Sequence, residues 1–203
     1  MNWLRTAASA YSNVSADPSW PKFDILESNE SYEKRSYHPF TCAAYAFTAN
    51  DGEEPVMSNL WKVVKYTQGG NVDGKTLKMC LPIMVKVRPS LINGRENQFT
   101  LMLILDKDNH KNSPPIPTVD GVFIYQQSEQ ILYAKRFGGF AKEADWKRET
   151  KNILEICKTF PINREEVISA TYDMPTKLLN RHNEVLVAEM IENTSNEKTI
   201  AIS

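Results

Sequence analysis

Hydrophobic and polar positions alternate with different periods along the chain, and each change of period predicts an element. Residues 32–37 alternate and residues 41–47 are short, small and aromatic, which favours two strands separated at His38-Pro39. An apolar stripe at helical spacing follows, bounded by Pro55 near its start and Gly69-Gly70 after its end; it consists of Met57, Leu60, Trp61 and Val64. Two apolar runs, 79–87 and 99–105, then predict buried strands.

The same order of elements returns after a polar, proline-containing linker at 107–119. Residues 122–137 predict two short strands, 141–160 a helix, and 166–172 and 184–191 two more strands. We therefore predict an α+β fold in which two strand-helix-strand-strand halves, 31–107 and 120–192, share one sheet system. One helix per half cannot cover its strands alone, so both halves are assigned to a single domain, 31–192. Residues 1–30 are predicted to be an extended lead-in and 193–203 a disordered tail.

Charge and composition exclude several classes of partner. Lys+Arg number 24 against 25 Asp+Glu, for a net charge of -1, and this balance argues against a nucleic-acid binder or a protein held on anionic lipid. No secretory signal and no membrane-spanning stretch is recognisable. Three widely spaced cysteines form no CxxC and favour free thiols in a reducing compartment. A cytoplasmic monomer is the resulting expectation.

Catalytic patterns are missing from the sequence. There is no GxSxG, and Cys80 stands inside an apolar strand, where a structural thiol is the simpler interpretation. The carboxylates of the second predicted helix alternate with lysine and arginine and indicate a solvated face; they are Glu143, Asp145 and Glu149. We therefore expect a protein that is not an enzyme.

Metal and phosphate sites are equally weakly indicated. Three histidines stand far apart, in a turn, a linker and a loop: His38, His110 and His182. Gly69-Gly70 and Gly138-Gly139 lack the GxGxxG or GxxxxGK context of a phosphate loop. Gly138-Gly139 instead suits a sharp turn from strand to helix.

The stripe on the first helix has two interpretations. Core packing against the sheet is the simpler one. The stripe is also flanked by Lys62 and Lys65, and apolar side chains beside cations suit a porphyrin, whose ring is apolar and whose propionates are anionic.

Several segments in fixed order resemble the SOUL family of haem-binding proteins, from about Tyr32 to Met190. The two most informative segments are residues 131–145, ILYAKRFGGFAKEAD, and 177–187, KLLNRHNEVLV. Shorter matches lie in SYExR at 31–35, in 66–71, in Met79-x-x-Pro82, in the prolines of 113–117 and in Ala170-x-Tyr172. The stretch 137–145 is more similar to the haem-binding-protein branch than to the SOUL branch.

The resemblance implies a fold and a function. Family members are distorted barrels with two helices and a pseudo-twofold repeat, similar to bacterial AraC-type and GyrI-like effector-binding domains. They bind haem and other tetrapyrroles, and are described as cytosolic haem carriers or buffers. We therefore expect non-covalent, reversible binding of haem or free porphyrin. Some members are linked to apoptosis through a helix resembling a BH3 segment.

The resemblance also implies site residues. Family ring contacts on the first helix match Leu60 and Val64, and we add Met57 and Trp61 of the same stripe. Met57 stands where the family has a basic residue, whereas a second family cation is present as Lys177. The axial histidine of the SOUL branch is replaced by Ser36. His38, two residues on, shares the face of Ser36 if the strand continues, so it is the candidate iron ligand, with a surface histidine as the preferred alternative.

Two rival functions remain open at this stage. A protein-interaction module would use the second helix as an amphipathic segment for a partner groove, through Ile153-Leu154 and Ile156-Cys157. A hydrolase of the GyrI-like kind would need a pocket acid with a raised pKa.

Overall fold

The computed structural model describes residues 20–50, 55–90, 96–108, 113–173 and 177–190. Nine strands and two helices lie in these ranges. The lead-in holds β1 Phe23–Ser28, and the elements of the first half are β2 Glu33–Tyr37, β3 Phe40–Ala49, α1 Pro55–Thr67, β4 Met79–Arg88 and β5 Asn97–Leu105. Those of the second half are β6 Val122–Gln127, β7 Gln130–Phe137, α2 Glu143–Ile156, β8 Val167–Thr171 and β9 Asn183–Ala188.

All nine described strands form one curled antiparallel sheet in the order β1-β2-β7-β9-β8-β4-β5-β3-β6. The two halves exchange their opening strands: β2 pairs with β7 of the second half, and β6 pairs with β3 of the first. The halves meet again at the centre, where β4 pairs with β8. The predicted α+β fold with a pseudo-twofold repeat is thereby confirmed, and the exchange shows why neither half could complete its sheet alone.

Both helices cover the same face of the sheet, which we call the helix face. Directly paired residues share a face, and Val87 beneath α1 pairs with Val167 beneath α2. Helix α1 packs against β3, β5 and β6, whereas α2 packs against β7 and β9. The central strands β4 and β8 therefore lie between the two helices.

The opposite, inner face holds a second core without help from a helix. Its fully buried side chains include Tyr37, Phe40, Cys42, Met102 and Leu132, contributed by both halves. They are buried because the curled sheet folds over itself. Trp20 packs into this core, and its indole N–H donates to the carbonyl of Leu105 at 2.9 Å.

Sequence and structure differ at two boundaries. The lead-in contributes a strand, β1, whose pairing with β2 adds an edge to the sheet. Helix α2 is shorter than the predicted 141–160 because Arg164 donates to the carbonyls of Leu154, Cys157 and Lys158 and so ends it. Residues 1–19 of the lead-in and the predicted tail at 193–203 lie outside the described residues.

Candidate functional site

The apolar stripe of α1 divides into a buried and an accessible part. Val64 is 4% exposed, and Leu60 is half-buried in the same core cluster, so both pack against the sheet. Trp61 is 37% exposed and remains available to a ligand. The side chain of Met57 lies outside the described residues. The core interpretation of the stripe therefore applies to Val64, and a ligand-facing role suits Trp61.

Large apolar side chains beside α1 are incompletely covered. Phe47 and Phe99 are half-buried and stack with their ring centroids 5.2 Å apart at 7°. Ile83 and Val87 of β4 are also half-buried, on the helix face between α1 and α2. These side chains border an apolar part of the helix face. A flat apolar ligand that covered it would remove that apolar surface from water.

Two of the candidate cations, Lys62 and Lys177, already have partners. The Lys62 ammonium lies 4.0 Å from the ring centroid of Tyr45 and also donates to its hydroxyl. Lys177 lies in the β8–β9 loop, half exposed, with its Nζ 2.6 Å from a carboxylate oxygen of Asp173. Thr171, at the end of β8, pairs with Ile83 of β4, so this loop starts beside the strand that lies between the helices. The structure describes these partners but no direct contact between Lys177 and α1.

Arg181 fixes the described part of the β8–β9 loop. Its guanidinium donates to the carbonyl of Lys177 at 2.8 Å and to that of Asp173 at 3.1 Å. The same guanidinium lies 4.5 Å from the ring centroid of Phe140. The loop also presents two strongly exposed leucines, Leu178 at 72% and Leu179 at 78%.

A buried polar network on the inner face was not singled out by sequence reasoning. Glu184 is fully buried and pairs with both terminal nitrogens of Arg35, at 2.8 and 2.9 Å. Tyr172 donates its hydroxyl to the same carboxylate at 2.7 Å, and His182 Nε2 lies 2.8 Å from it. Tyr37 accepts from Arg35 at 3.1 Å. The available signal was that Arg35 and Glu184 each lie in a segment that matches the family.

The network holds Glu184 ionised. Burial by itself would raise the pKa of Glu184, but hydrogen bonds from His182 and Arg35 and the charge of Arg35 outweigh it and lower that pKa to about 2. Burial raises the pKa of Tyr172 well above its ordinary value, so its hydroxyl remains a donor. A hydrolase acid would need a raised carboxyl pKa; Glu184 has the opposite.

The structure places His38 at the surface. His38 follows β2, is about half exposed, and its Nε2 lies 2.8 Å from the carboxylate of Asp24 on β1. Across the described ranges, no group of three or more His, Cys, Asp or Glu side chains is arranged for a metal ion. A haem iron at His38 would have to compete with Asp24 for this nitrogen.

The remaining candidate groups have structural partners. All three cysteines are buried, and burial raises the pKa of Cys157 to about 11. Glu143 and Asp145 form the expected ion pairs on the surface of α2. Glu149 is different: it is buried and bonds Lys135 of β7 at 2.7 Å, so it ties α2 to the sheet instead of lying on a solvated face.

The chain belongs to the SOUL family of haem-binding proteins. The family model described as SOUL heme-binding protein matches residues 19–188. Among individual relatives, heme-binding protein 1 of Sus scrofa is 29% identical over 171 residues, covering 82% of this chain and 89% of that protein. Heme-binding protein 2 of Homo sapiens is 27% identical over 166 residues, covering 81% and 80%. The closer similarity to one branch stays a prediction, since both types match about equally.

Solved structures show the same fold at low sequence identity. The C-terminal domain of EcmrR superposes with a TM-score of 0.56 at 5% identity, covering 78% of this chain and 99% of that one. A hydrolase from Listeria innocua gives 0.51 at 8% identity, covering 80% and 93%. These likenesses concern the fold alone. Within the described ranges, neither helix is long and apolar enough to cross a membrane.

Proposed function

We propose that this protein binds haem or a related tetrapyrrole non-covalently and reversibly, as a carrier or buffer in the cytoplasm, without catalysing a reaction. The observation that carries the proposal is the incompletely covered apolar surface beside α1 in a member of a haem-binding family. A porphyrin offers an apolar face of matching character and two carboxylates at one edge.

Each proposed residue has a distinct role. Trp61 would lie against the ring, since its indole is the most exposed of the three described side chains of the stripe. Leu60 and Met57 would border the ring, and Val64 would support the wall from the core beneath. Lys177 would pair with a propionate. His38 would ligate iron only after leaving Asp24, so the proposed complex depends on ring burial and charge pairing, which favours exchange over permanent retention.

The first test is a titration with haemin and with protoporphyrin IX, followed by the Soret band and by tryptophan fluorescence. The chain has four tryptophans, so a Trp61→Phe variant assigns the quenching. Saturable one-to-one binding of both ligands supports the proposal. Binding of haemin alone, lost in His38→Ala, would identify His38 as the iron ligand and contradict a site that grips the ring. Saturable binding of neither ligand overturns the proposed function.

Lys177→Glu examines the propionate role. It reverses the charge and should weaken binding of both ligands, because the new carboxylate repels the propionates. Lys158→Glu is the matched control, since Lys158, which follows the C-terminal end of α2, is also an exposed lysine paired with a carboxylate. Equal effects of the two substitutions would point to net charge and not to a site at Lys177.

The alternative is a protein-interaction module that acts through α2. Ile153 and Cys157 are fully buried between α2 and the sheet, so a partner groove could receive this face only after the helix left its core. That separation would expose apolar surface at a cost of about 25 cal/mol per Å². The alternative is therefore ranked second. Partner capture that persists in a folded Ile153→Asp variant would exclude it.

A further inference from the structure

We propose that Asp173 competes with a carboxylate of the ligand for Lys177. Asp173 pairs with Lys177 in the free protein, and the ligand carboxylate takes its place when a tetrapyrrole binds. This inference rests on the proposed function and concerns the regulation of the same site. It assigns a role in affinity and ligand selection to a residue that itself would touch no ligand.

The geometry of the pair gives the first argument. Lys177 Nζ and Asp173 Oδ1 are 2.6 Å apart, the distance of a charge-assisted hydrogen bond. The two side chains are unequally free: that of Asp173 is 12% exposed, whereas that of Lys177 is 44% exposed. The carboxylate is therefore the fixed partner and the ammonium the one that can change its bond.

Asp173 is held in place by groups other than Lys177. Its second oxygen accepts the backbone N–H of His182, across the loop. Burial by itself would raise the pKa of Asp173, but the hydrogen bonds from Lys177 and His182 outweigh it and lower that pKa, so the carboxylate remains charged at neutral pH. It would stay in position after Lys177 had left.

The backbone carbonyls of the two residues themselves have a partner as well. Arg181 donates to the carbonyls of both Lys177 and Asp173, and His182 is stacked on Tyr172 with ring centroids 4.0 Å apart at 6°. An exchange of partner at Lys177 thus needs only side-chain rotation, since long lysine side chains carry several rotatable bonds. A propionate of the ligand would replace the Asp173 carboxylate at Lys177. The free energy gained from the new ion pair is therefore reduced by the loss of the Lys177–Asp173 pair.

The experiment compares mesoporphyrin IX with its dimethyl ester, which has the same ring and lacks the free carboxylates. Dissociation constants of both are measured for wild type, Asp173→Asn, Lys177→Gln and the double variant. Asparagine still offers an oxygen to the His182 N–H, so the loop should be retained. If Asp173→Asn unfolds at a clearly lower temperature than wild type, Asp173→Ser replaces it, because the serine hydroxyl can accept the same N–H. Glu155→Gln, which releases the exposed Lys158 from its carboxylate, is the matched control.

The expected result is selective. Asp173→Asn should tighten the dicarboxylate by about two- to fivefold, the range corresponding to a partly exposed ion pair, and leave the ester unchanged. The gain should disappear in the Lys177→Gln background. If wild type binds both porphyrins but Asp173→Asn leaves the ratio of dicarboxylate to ester affinity unmoved, the competitor role is wrong while the proposed function stands. If wild type binds neither porphyrin, both proposals are overturned.

Discussion

Arg35 and Glu184 form a buried, two-point ion pair between the second and the last described strand, with nitrogen–oxygen distances of 2.8 and 2.9 Å. The two residues are 149 positions apart in the chain. Arg35 also bonds Glu33, and its guanidinium lies 4.5 Å from the ring centroid of Phe23 on β1. One arginine thus links the lead-in strand, the first half and the β8–β9 hairpin region.

The pair should be costly to break from one side. Glu184→Gln or Arg35→Met leaves an uncompensated charge or polar group in the inner face, and we expect the free energy of unfolding to fall by about 3–5 kcal/mol. Urea denaturation of each variant measures this loss. The double variant Arg35→Met/Glu184→Leu should recover part of it because no charge stays buried. Wild-type stability in Glu184→Gln would show that the pair contributes nothing.

Acid should remove the same contribution. The pKa of Glu184 is about 2 in the folded protein against an ordinary value of 4.5, so the folded state binds the carboxylate proton less readily than the unfolded state does. The stabilisation is fully present above pH 4.5 and is lost as the pH falls toward 2. Chemical denaturation at several pH values measures how the free energy of unfolding changes with pH. In Glu184→Gln this part of the pH dependence of the free energy of unfolding should be absent. The control variant Glu155→Gln, at an exposed position, should keep it.

The stripe of α1 should separate into structural and ligand-facing positions. Val64→Ala removes fully packed methyl groups and should lower the free energy of unfolding by about 1–3 kcal/mol. Trp61→Ala should cost under about 1 kcal/mol, yet it should weaken porphyrin binding the more strongly of the two. Thermal melts and Soret titrations of both variants measure these effects. The reverse order of binding losses would remove Trp61 from the site.

Gly70 should resist substitution for a steric reason. A Cβ there would lie 2.7 Å from the Lys65 carbonyl oxygen and 2.7 Å from a methyl of Val119, so Gly70→Ala should cost about 1–3 kcal/mol. Gly139 is the comparison: its φ is +89°, and apart from its chain neighbours no atom of the described residues lies within 4 Å of a Cβ there, leaving only a backbone cost of about 1–2 kcal/mol. Wild-type stability in Gly70→Ala would show that the close approach at Gly70 tolerates a methyl group.

The three thiols should be protected in the folded state. Cys42, Cys80 and Cys157 are all buried, and burial raises the pKa of Cys157 to about 11. Alkylation at pH 8 should therefore be slow in native buffer and complete in denaturant, because only an exposed thiolate reacts. Mass spectrometry of the labelled protein measures both. Rapid native labelling of any cysteine would show local opening around it.

Local patterns were sufficient for most elements of this fold. The stripe from Met57 to Val64 identified α1, apolar runs identified β4 and β5, and the returning order of elements revealed the repeat. These signals are local, since each depends on residues a few positions apart. The lead-in strand β1 was harder to recognise as part of the sheet, because five of its six residues are exposed and only its pairing with β2 orders it.

The sequence by itself determined the fold class, the duplication and the family, because hydrophobic period and ordered motifs are written along the chain. Only the tertiary structure decided which partners meet. Arg35 and Glu184 are joined by strand exchange between the halves, and Lys177 is paired with Asp173 where Arg181 donates to the carbonyls of both residues. Likewise, Trp61 and Val64 are equivalent in a hydrophobic pattern and differ only once the sheet covers one side of α1. Burial and charge pairing arise between distant segments, and no local pattern encodes them.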